Sequence, residues 1–142
     1  QTSSLMSILT PAQYVFEMPI KVRDYEVDAQ GIVNNANYQH YLEHTRHMFC
    51  EQAGVSFRAM HESGLDPVVR RVEIDYLRPL GLGDSMVSKI ALYRQGPLFV
   101  FRQDIFTPDG EPVVHAMVNI VCLEDGRLTR GERLAEAFKD YL

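Results

Sequence analysis

One stretch of this chain carries a helical hydrophobic period, and strand-like segments surround it. Tyr38, Tyr41, Leu42, Thr45 and Phe49 fall at i, i+3, i+4, i+7 and i+11, with Gln52 completing the face. Gln39, Glu43, Arg46 and His47 are left on other faces. Gly54 suits the residue just past the end of that helix. Before it, Phe16, Met18, Ile20 and Val22 alternate with Glu17, Pro19, Lys21 and Arg23, a period-two strand that Pro19 assigns to a sheet edge. A short helical turn is expected from Ser56 to Glu62, ended by Gly64.

Past Pro67 the chain reads as β. Val72, Ile74 and Tyr76 alternate with Arg71, Glu73 and Asp75, and "RPLGLGDS" forms a Pro/Gly turn. Residues 86–94 and 98–107 are the next strands, and "TPDGEP" has the chemistry of a hairpin turn. "VVHAMVNIVCL", residues 113–123, is apolar at nearly every position, as a central strand covered on both faces must be. A last amphipathic helix is expected over 132–142, with Leu134, Ala137, Phe138 and Tyr141 on one face. Strand, long helix, four strands predicts one helix against an antiparallel sheet, an α+β domain.

Composition narrows the function. A length of 142 residues suits a single domain, 1–142, and the net charge of −5 gives no general attraction for nucleic acid or anionic membrane. No apolar run approaches the ~20 residues of a membrane span. Two cysteines, Cys50 and Cys122, lie far apart with no CxxC partner, which fits a reducing, cytoplasmic setting and neither a disulfide framework nor a zinc site. The opening "QTSSLMSILTPAQ" lacks the basic start and long apolar run of a signal peptide, and reads as a flexible or processed end.

The chemistry concentrates in "YEVDAQGIVNNANYQHYLEHTR", residues 25–46. A helix starting near Asn35 presents unpaired backbone N–H groups and the positive end of its dipole. Such an end can polarise a carbonyl and hold the charge that develops on it during acyl transfer. Asp28, seven residues earlier, can supply a carboxylate as nucleophile or general base, and Gly31 lets the intervening loop turn tightly. The plainer alternative is that Asn35 caps the helix and Asp28 is an exposed loop acid.

"DAQGIVNNANYQHYLEHTR" resembles the signature of the 4-hydroxybenzoyl-CoA thioesterase family of hot-dog-fold proteins. Asp28, Gly31, Val33, Asn37 and Tyr38 occupy the signature positions. "VVRRVEIDYLRPLGLGD" and "HAMVNIVCLEDGR" resemble later blocks in the same order, so the likeness spans about residues 17–127. The resemblance implies a five-stranded antiparallel sheet wrapped around one long central helix. It also implies hydrolysis of an acyl thioester on coenzyme A or acyl carrier protein, with no metal or redox cofactor. Asp28 then takes the catalytic carboxylate's role, and the backbone N–H of Asn35 holds the thioester oxygen. Many bacterial relatives carry Tyr-His where this chain has Asn34-Asn35, so a histidine-assisted mechanism is absent at that position. The stretch is closer to a subgroup that includes plant acyl-lipid thioesterases.

The resemblance further assigns Gly31, Val33, Asn34 and Tyr38 to the substrate site, and Arg94, Arg127 and Arg130 to coenzyme A phosphates. Each arginine reads equally as a solvated surface group. Ile32 and Tyr41 join Val33 and Tyr38 as candidate pocket-lining or core residues. Family members form dimers edge to edge, often paired into tetramers, with the site between protomers, and Val68–Arg78 is the edge strand expected to pair with its twin. His40, His44 and His47 lack an acidic third ligand and read as helix-surface or interface residues. Glu43 and Arg46, at i and i+3, read as a structural pair, with Glu43 also able to line the site. Two other functions are set beside hydrolysis: a non-catalytic acyl-thioester binding or regulatory module, and a dehydratase, whose His and Glu/Asp pair finds no match here.

Overall fold

The computed structural model describes residues 13–142, so the expected flexible amino terminus lies outside the described residues. Five long strands run antiparallel: β1 (Phe16–Lys21), β2 (Leu65–Tyr76), β3 (Ser85–Gln95), β4 (Leu98–Phe106) and β5 (Pro112–Glu124). Their order in the sheet is β1-β3-β4-β5-β2, and a two-residue β6 (Arg127–Leu128) adds to β5. β1 and β2 are therefore the edges, as Pro19 and the Val68–Arg78 pattern suggested. β5 sits between β4 and β2, and its unbroken apolar run is buried along most of its length. The hairpin between β4 and β5 closes through Thr107 N–H to Glu111 O at 2.8 Å, with Gly110 at φ 91°.

The long helix α1 (Asn35–Gln52) buries Tyr38, Tyr41, Leu42, Thr45, Phe49 and Cys50 against one face of the sheet. Near its start, Tyr38, Tyr41 and Leu42 pack with Val33, Met86, Ile105 and Val114. Towards its end, Phe49 meets Phe101 and Phe138, with ring centroids 6.1 and 5.6 Å apart. Each fully buried side chain of this size contributes about 1.5–3 kcal/mol through its removal from water. A polar layer crosses the middle. The Thr45 hydroxyl donates to Tyr41 O at 2.7 Å and lies 2.8 Å from Ser88 Oγ, satisfying both hydroxyls inside the core.

Two short helices accompany α1: α2 (Phe57–Glu62), capped by Ser56, and α3 (Glu132–Ala137). Both stand where short helices were expected beside the central one, and β6 is the addition to the expected five strands. The closing helix is also shorter than the predicted 132–142. It stops at Ala137, after which Phe138 anchors the chain in the core and the remaining residues turn back on themselves. One face assignment fails as well. Arg46 is 8% exposed, because its guanidinium Nη1 donates to the fully buried Gln103 Oε1 at 2.9 Å rather than pairing with Glu43. Gln52, assigned to the inner face, is exposed.

Candidate active site

The loop from Arg23 to Asn34 is a hydrogen-bonded knot pinned to the front of α1. A single 3-10 turn, Asp24–Glu26, brings Glu26 against the helix. Its Oε1 accepts from the Tyr41 hydroxyl at 2.9 Å and from Arg23 N–H at 2.8 Å, while its carbonyl accepts from the Asn37 side chain at 2.8 Å. Glu26 is thus the strut between loop and helix. The sequence reading passed over it, since its partners stand 11 and 15 residues away. Burial and the neighbouring Glu26 carboxylate together push the Tyr41 hydroxyl's pKa well up, so it stays a proton donor to that carboxylate.

Beyond the strut, Val27 and Val33 bridge as a miniature antiparallel pair, and Ile32 bridges Gly81. Asp28 lies at the turn. Its backbone N–H donates to Ile32 O at 2.9 Å and its carbonyl accepts from Gly31 N–H at 2.9 Å. Gly31 closes the turn at φ 79°, a conformation costly for a residue with a Cβ. The Asp28 Oδ1 accepts from Gln30 N–H at 2.8 Å and Ile32 N–H at 3.4 Å. No hydrogen bond reaches its Oδ2 from the described residues. The carboxylate is exposed, so one oxygen orients it and the other is open.

The helix start is finished by Asn34, not Asn35. Asn34 is the N-cap, and its Oδ1 accepts from Ala36 N–H at 2.9 Å. Its carbonyl accepts from Asn37 N–H at 2.9 Å. The Asn35 N–H, first in the helix, has no acceptor among the described residues and points out of the positive end of α1. A carboxylate with one free oxygen therefore precedes a helix start with one free N–H. This pairing suits attack on a carbonyl carbon, by the carboxylate or by water it activates, while the N–H takes up the oxygen's charge.

Beside Asn35 runs a cleft of about 240 Å³, lined by Ile32, Val33, Tyr38, Tyr76 at the end of β2 and the following residues to Pro79. Val33 and Tyr38 are buried and serve as both core and wall, with the Tyr38 hydroxyl accepting from Leu80 N–H at 3.2 Å. Asp28, Gly31, Val33, Asn34, Asn35 and Tyr38 thus share one end of the molecule.

The three arginines do not join them. Arg94 is the penultimate residue of β3, whose opposite end follows the Gly81 turn that bridges Ile32, a separation of roughly 30 Å by strand rise. Its guanidinium donates to the carbonyls of Gly96 and Arg130 and pairs with Glu132, the carboxylate at the start of α3. Arg127 and Arg130 stand exposed at that same far end. Among the described residues no three His, Cys, Asp or Glu side chains cluster as a metal site, and no helix is long and apolar enough to cross a membrane.

Comparison with known proteins identifies the family. Residues 22–139 match the family model described as the thioesterase-like superfamily. Among curated proteins, the chain is similar to the chloroplastic acyl-acyl carrier protein thioesterase ATL2 of Arabidopsis thaliana. The two are 36% identical over 115 residues, 77% of this chain and 59% of the plant protein, so the chain spans little more than half of that relative. It is also similar to the long-chain acyl-CoA thioesterase FadM of Escherichia coli, 34% identical over 74% of this chain and 80% of that protein. Among solved structures, the probable thioesterase YbaW of E. coli superposes with a TM-score of 0.78 at 29% identity, covering 88% of this chain and 97% of that one. The chain belongs to the thioesterase-like superfamily of hot-dog proteins.

Proposed function

We propose that the protein hydrolyses acyl thioesters of coenzyme A or acyl carrier protein to the free acid and thiol. Within the superfamily, the Asp28-to-Tyr38 signature supports the 4-hydroxybenzoyl-CoA thioesterase branch. The observation that carries the proposal is the pairing of Asp28, oriented through Oδ1 and open at Oδ2, with the unpaired Asn35 N–H. In the general-base route, Asp28 takes a proton from water. The hydroxide equivalent adds to the thioester carbon, and the oxyanion sits on the Asn35 N–H and the helix dipole. Collapse expels the thiolate, which is then protonated. In the nucleophilic route, an Oδ oxygen forms an acyl anhydride with release of thiolate, and water then cleaves it. Both routes balance with water as the only co-reactant and need neither metal nor redox cofactor. The names of the relatives support both carriers, ATL2 for acyl carrier protein and FadM for coenzyme A.

Assembly enters because the site is open on the β2 side. β2 is an unpaired edge whose Val68, Val69, Val72 and Tyr76 are at least 37% exposed, a row that invites another strand. Antiparallel pairing of β2 with its twin sets the Leu65 end of one protomer beside the Tyr76 end of the other. That brings the Arg127–Arg130 end of one chain towards the Asp28 loop of its partner and closes a shared site. Arg127 and Arg130 then meet the phosphates, while Arg94 holds α3 through Glu132.

Thiol release from a panel of acyl-CoA and aryl-CoA esters, with light scattering at micromolar protein, tests the proposal. Hydrolysis by an even-numbered oligomer supports it. Tight binding of the esters without turnover would favour the binding-module reading, and a monomer would remove the shared site.

A further inference from the structure

Arg46 is nine-tenths buried, yet its one side-chain hydrogen bond among the described residues goes to a neutral group, the Gln103 amide oxygen at 2.9 Å. Gln103 is held in turn, its Nε2 donating to Leu42 O at 3.0 Å, so the guanidinium is fixed from behind. No carboxylate lies within 4 Å of it among the described residues. Burial disfavours its charge, and the charged neighbour that offsets this, Glu43, stands beyond ion-pair distance, so the pair leaves room for a polar group between them. The guanidinium nitrogens left over are not sealed in the core. They open on a cleft of about 410 Å³ between α1 and β2, whose polar wall is Gln39, His40, Glu43 and Arg46 and whose apolar wall is Val69 and Val72.

This cleft and the one beside Asn35 both lie along α1 and β2, at successive positions of each. β2 runs opposite to α1, with Tyr76 against Asn35 and Tyr38 at the helix start and with Val69 and Val72 lining the later cleft. A thioester held at Asn35 therefore has an acyl path along α1, between Val72 on one side and Glu43 with Arg46 on the other.

We propose that this polar end of the groove recognises a hydroxyl group on the distal part of the acyl chain. The assignment rests on the thioesterase reading of the Asp28 site. The hydroxyl accepts from Arg46 and donates to Glu43, an arrangement that a bare methyl end cannot use and in which a carboxylate end is repelled by Glu43. The helix rise places Glu43 about 12 Å along the axis from Asn35, and its side chain leans back towards the helix start. At roughly 1.2 Å per bond of extended chain, the hydroxyl belongs near the eighth carbon.

The test compares kcat/KM for 8-hydroxyoctanoyl-CoA, octanoyl-CoA, 3-hydroxyoctanoyl-CoA and the half-thioester of octanedioic acid. The 8-hydroxy ester is expected to exceed octanoyl-CoA by about tenfold, the worth of one to two hydrogen bonds. The 3-hydroxy ester should gain nothing, and the dicarboxylic ester should fall below the 8-hydroxy ester. Arg46→Met and Glu43→Met should each bring the 8-hydroxy to octanoyl ratio near one. Glu43 is an exposed helix position, so its variant decides the matter if Arg46→Met does not fold. A wild-type ratio below about two, or a ratio that survives Glu43→Met, would overturn the assignment. So would an Arg46→Met variant that dissociates into monomers with the ratio intact, since Arg46 would then serve the subunit contact. Turnover of none of the esters would instead overturn the thioesterase reading itself.

Discussion

Two aspartates of this protein, Asp28 and Asp104, show how one side chain serves opposite ends. Asp104 is fully buried in β4 on the sheet face away from α1, and its carboxylate is saturated. Oδ2 accepts from the Tyr14 hydroxyl at 2.5 Å and from Arg102 Nε at 3.2 Å, and Oδ1 lies 2.8 Å from His115 Nδ1. Asp28 is exposed and half-committed, with two backbone N–H groups on Oδ1 and none on Oδ2. The saturated acid has nothing left to offer a substrate and ties strands together. The half-committed acid binds only the N–H groups of its own turn and leaves an oxygen free. Position in a strand or a loop decides which: β4 supplies neighbours on three sides, and the Asp28 turn supplies only its own backbone.

The contrast breaks most visibly at Asp104. Asp104→Ala removes the buried carboxylate that Tyr14, Arg102 and His115 share, including its ion pair with Arg102. The expected loss is about 3–5 kcal/mol of stability, measured by chemical denaturation. A loss below ~1 kcal/mol would mean that the network is not structural.

A second difference lies in pH. Burial raises the thiols of Cys50 to about 12 and Cys122 to about 11, from an ordinary 9.0. Because the folded values are the higher ones, this stability is fully present below pH ~9 and lost as pH rises towards 11–12. Each thiol contributes a slope of up to about 1.4 kcal/mol per pH unit. Denaturation midpoints between pH 8 and 11, compared for wild type and Cys50→Ala, read the slope directly. An equal slope in the variant would contradict the assignment to Cys50.

The smallest expected effect concerns the far arginines. Replacing Arg127 and Arg130 together by Ala should raise KM for acyl-CoA roughly three- to tenfold at low salt and less at high salt, because exposed charges are screened. Arg94→Ala should leave KM unchanged, since its charge is already met by Glu132. Initial-rate kinetics at two ionic strengths separate the cases, and a KM effect confined to Arg94 would place the phosphates at the start of α3.

Local grammar made much of this legible. Pro19 marked an edge, the apolar run of β5 marked a central strand, and Gly54 and Gly64 marked helix ends at φ 80° and 85°. The Asp28 turn and the helix start near Asn35 were readable because their hydrogen bonds join residues two to four apart. Which asparagine caps was not, since Asn34 and Asn35 are chemically equal and only the backbone decides. Arg46 was misplaced for a different reason. Hydrophobic periodicity assigns charges outward, and the group that draws Arg46 in, Gln103, is 57 residues away. The same distance problem hid the commitment of Arg94 to Glu132, 38 residues on.

The central claim is that Asp28 performs the chemistry and does not hold the fold. Asp28→Asn keeps the side chain's volume and its Oδ1 acceptor for the turn, but removes the anion. The decisive measurement is kcat for thiol release by this variant on the best ester of the panel, with its melting temperature and oligomeric state recorded beside wild type. The account predicts a fall in kcat of about 10²–10⁴, equivalent to about 3–5 kcal/mol of barrier, with KM, melting temperature and assembly essentially unchanged. A folded, correctly assembled Asp28→Asn that keeps more than about a tenth of wild-type kcat, above the residual rate that loss of a general base allows, would contradict it.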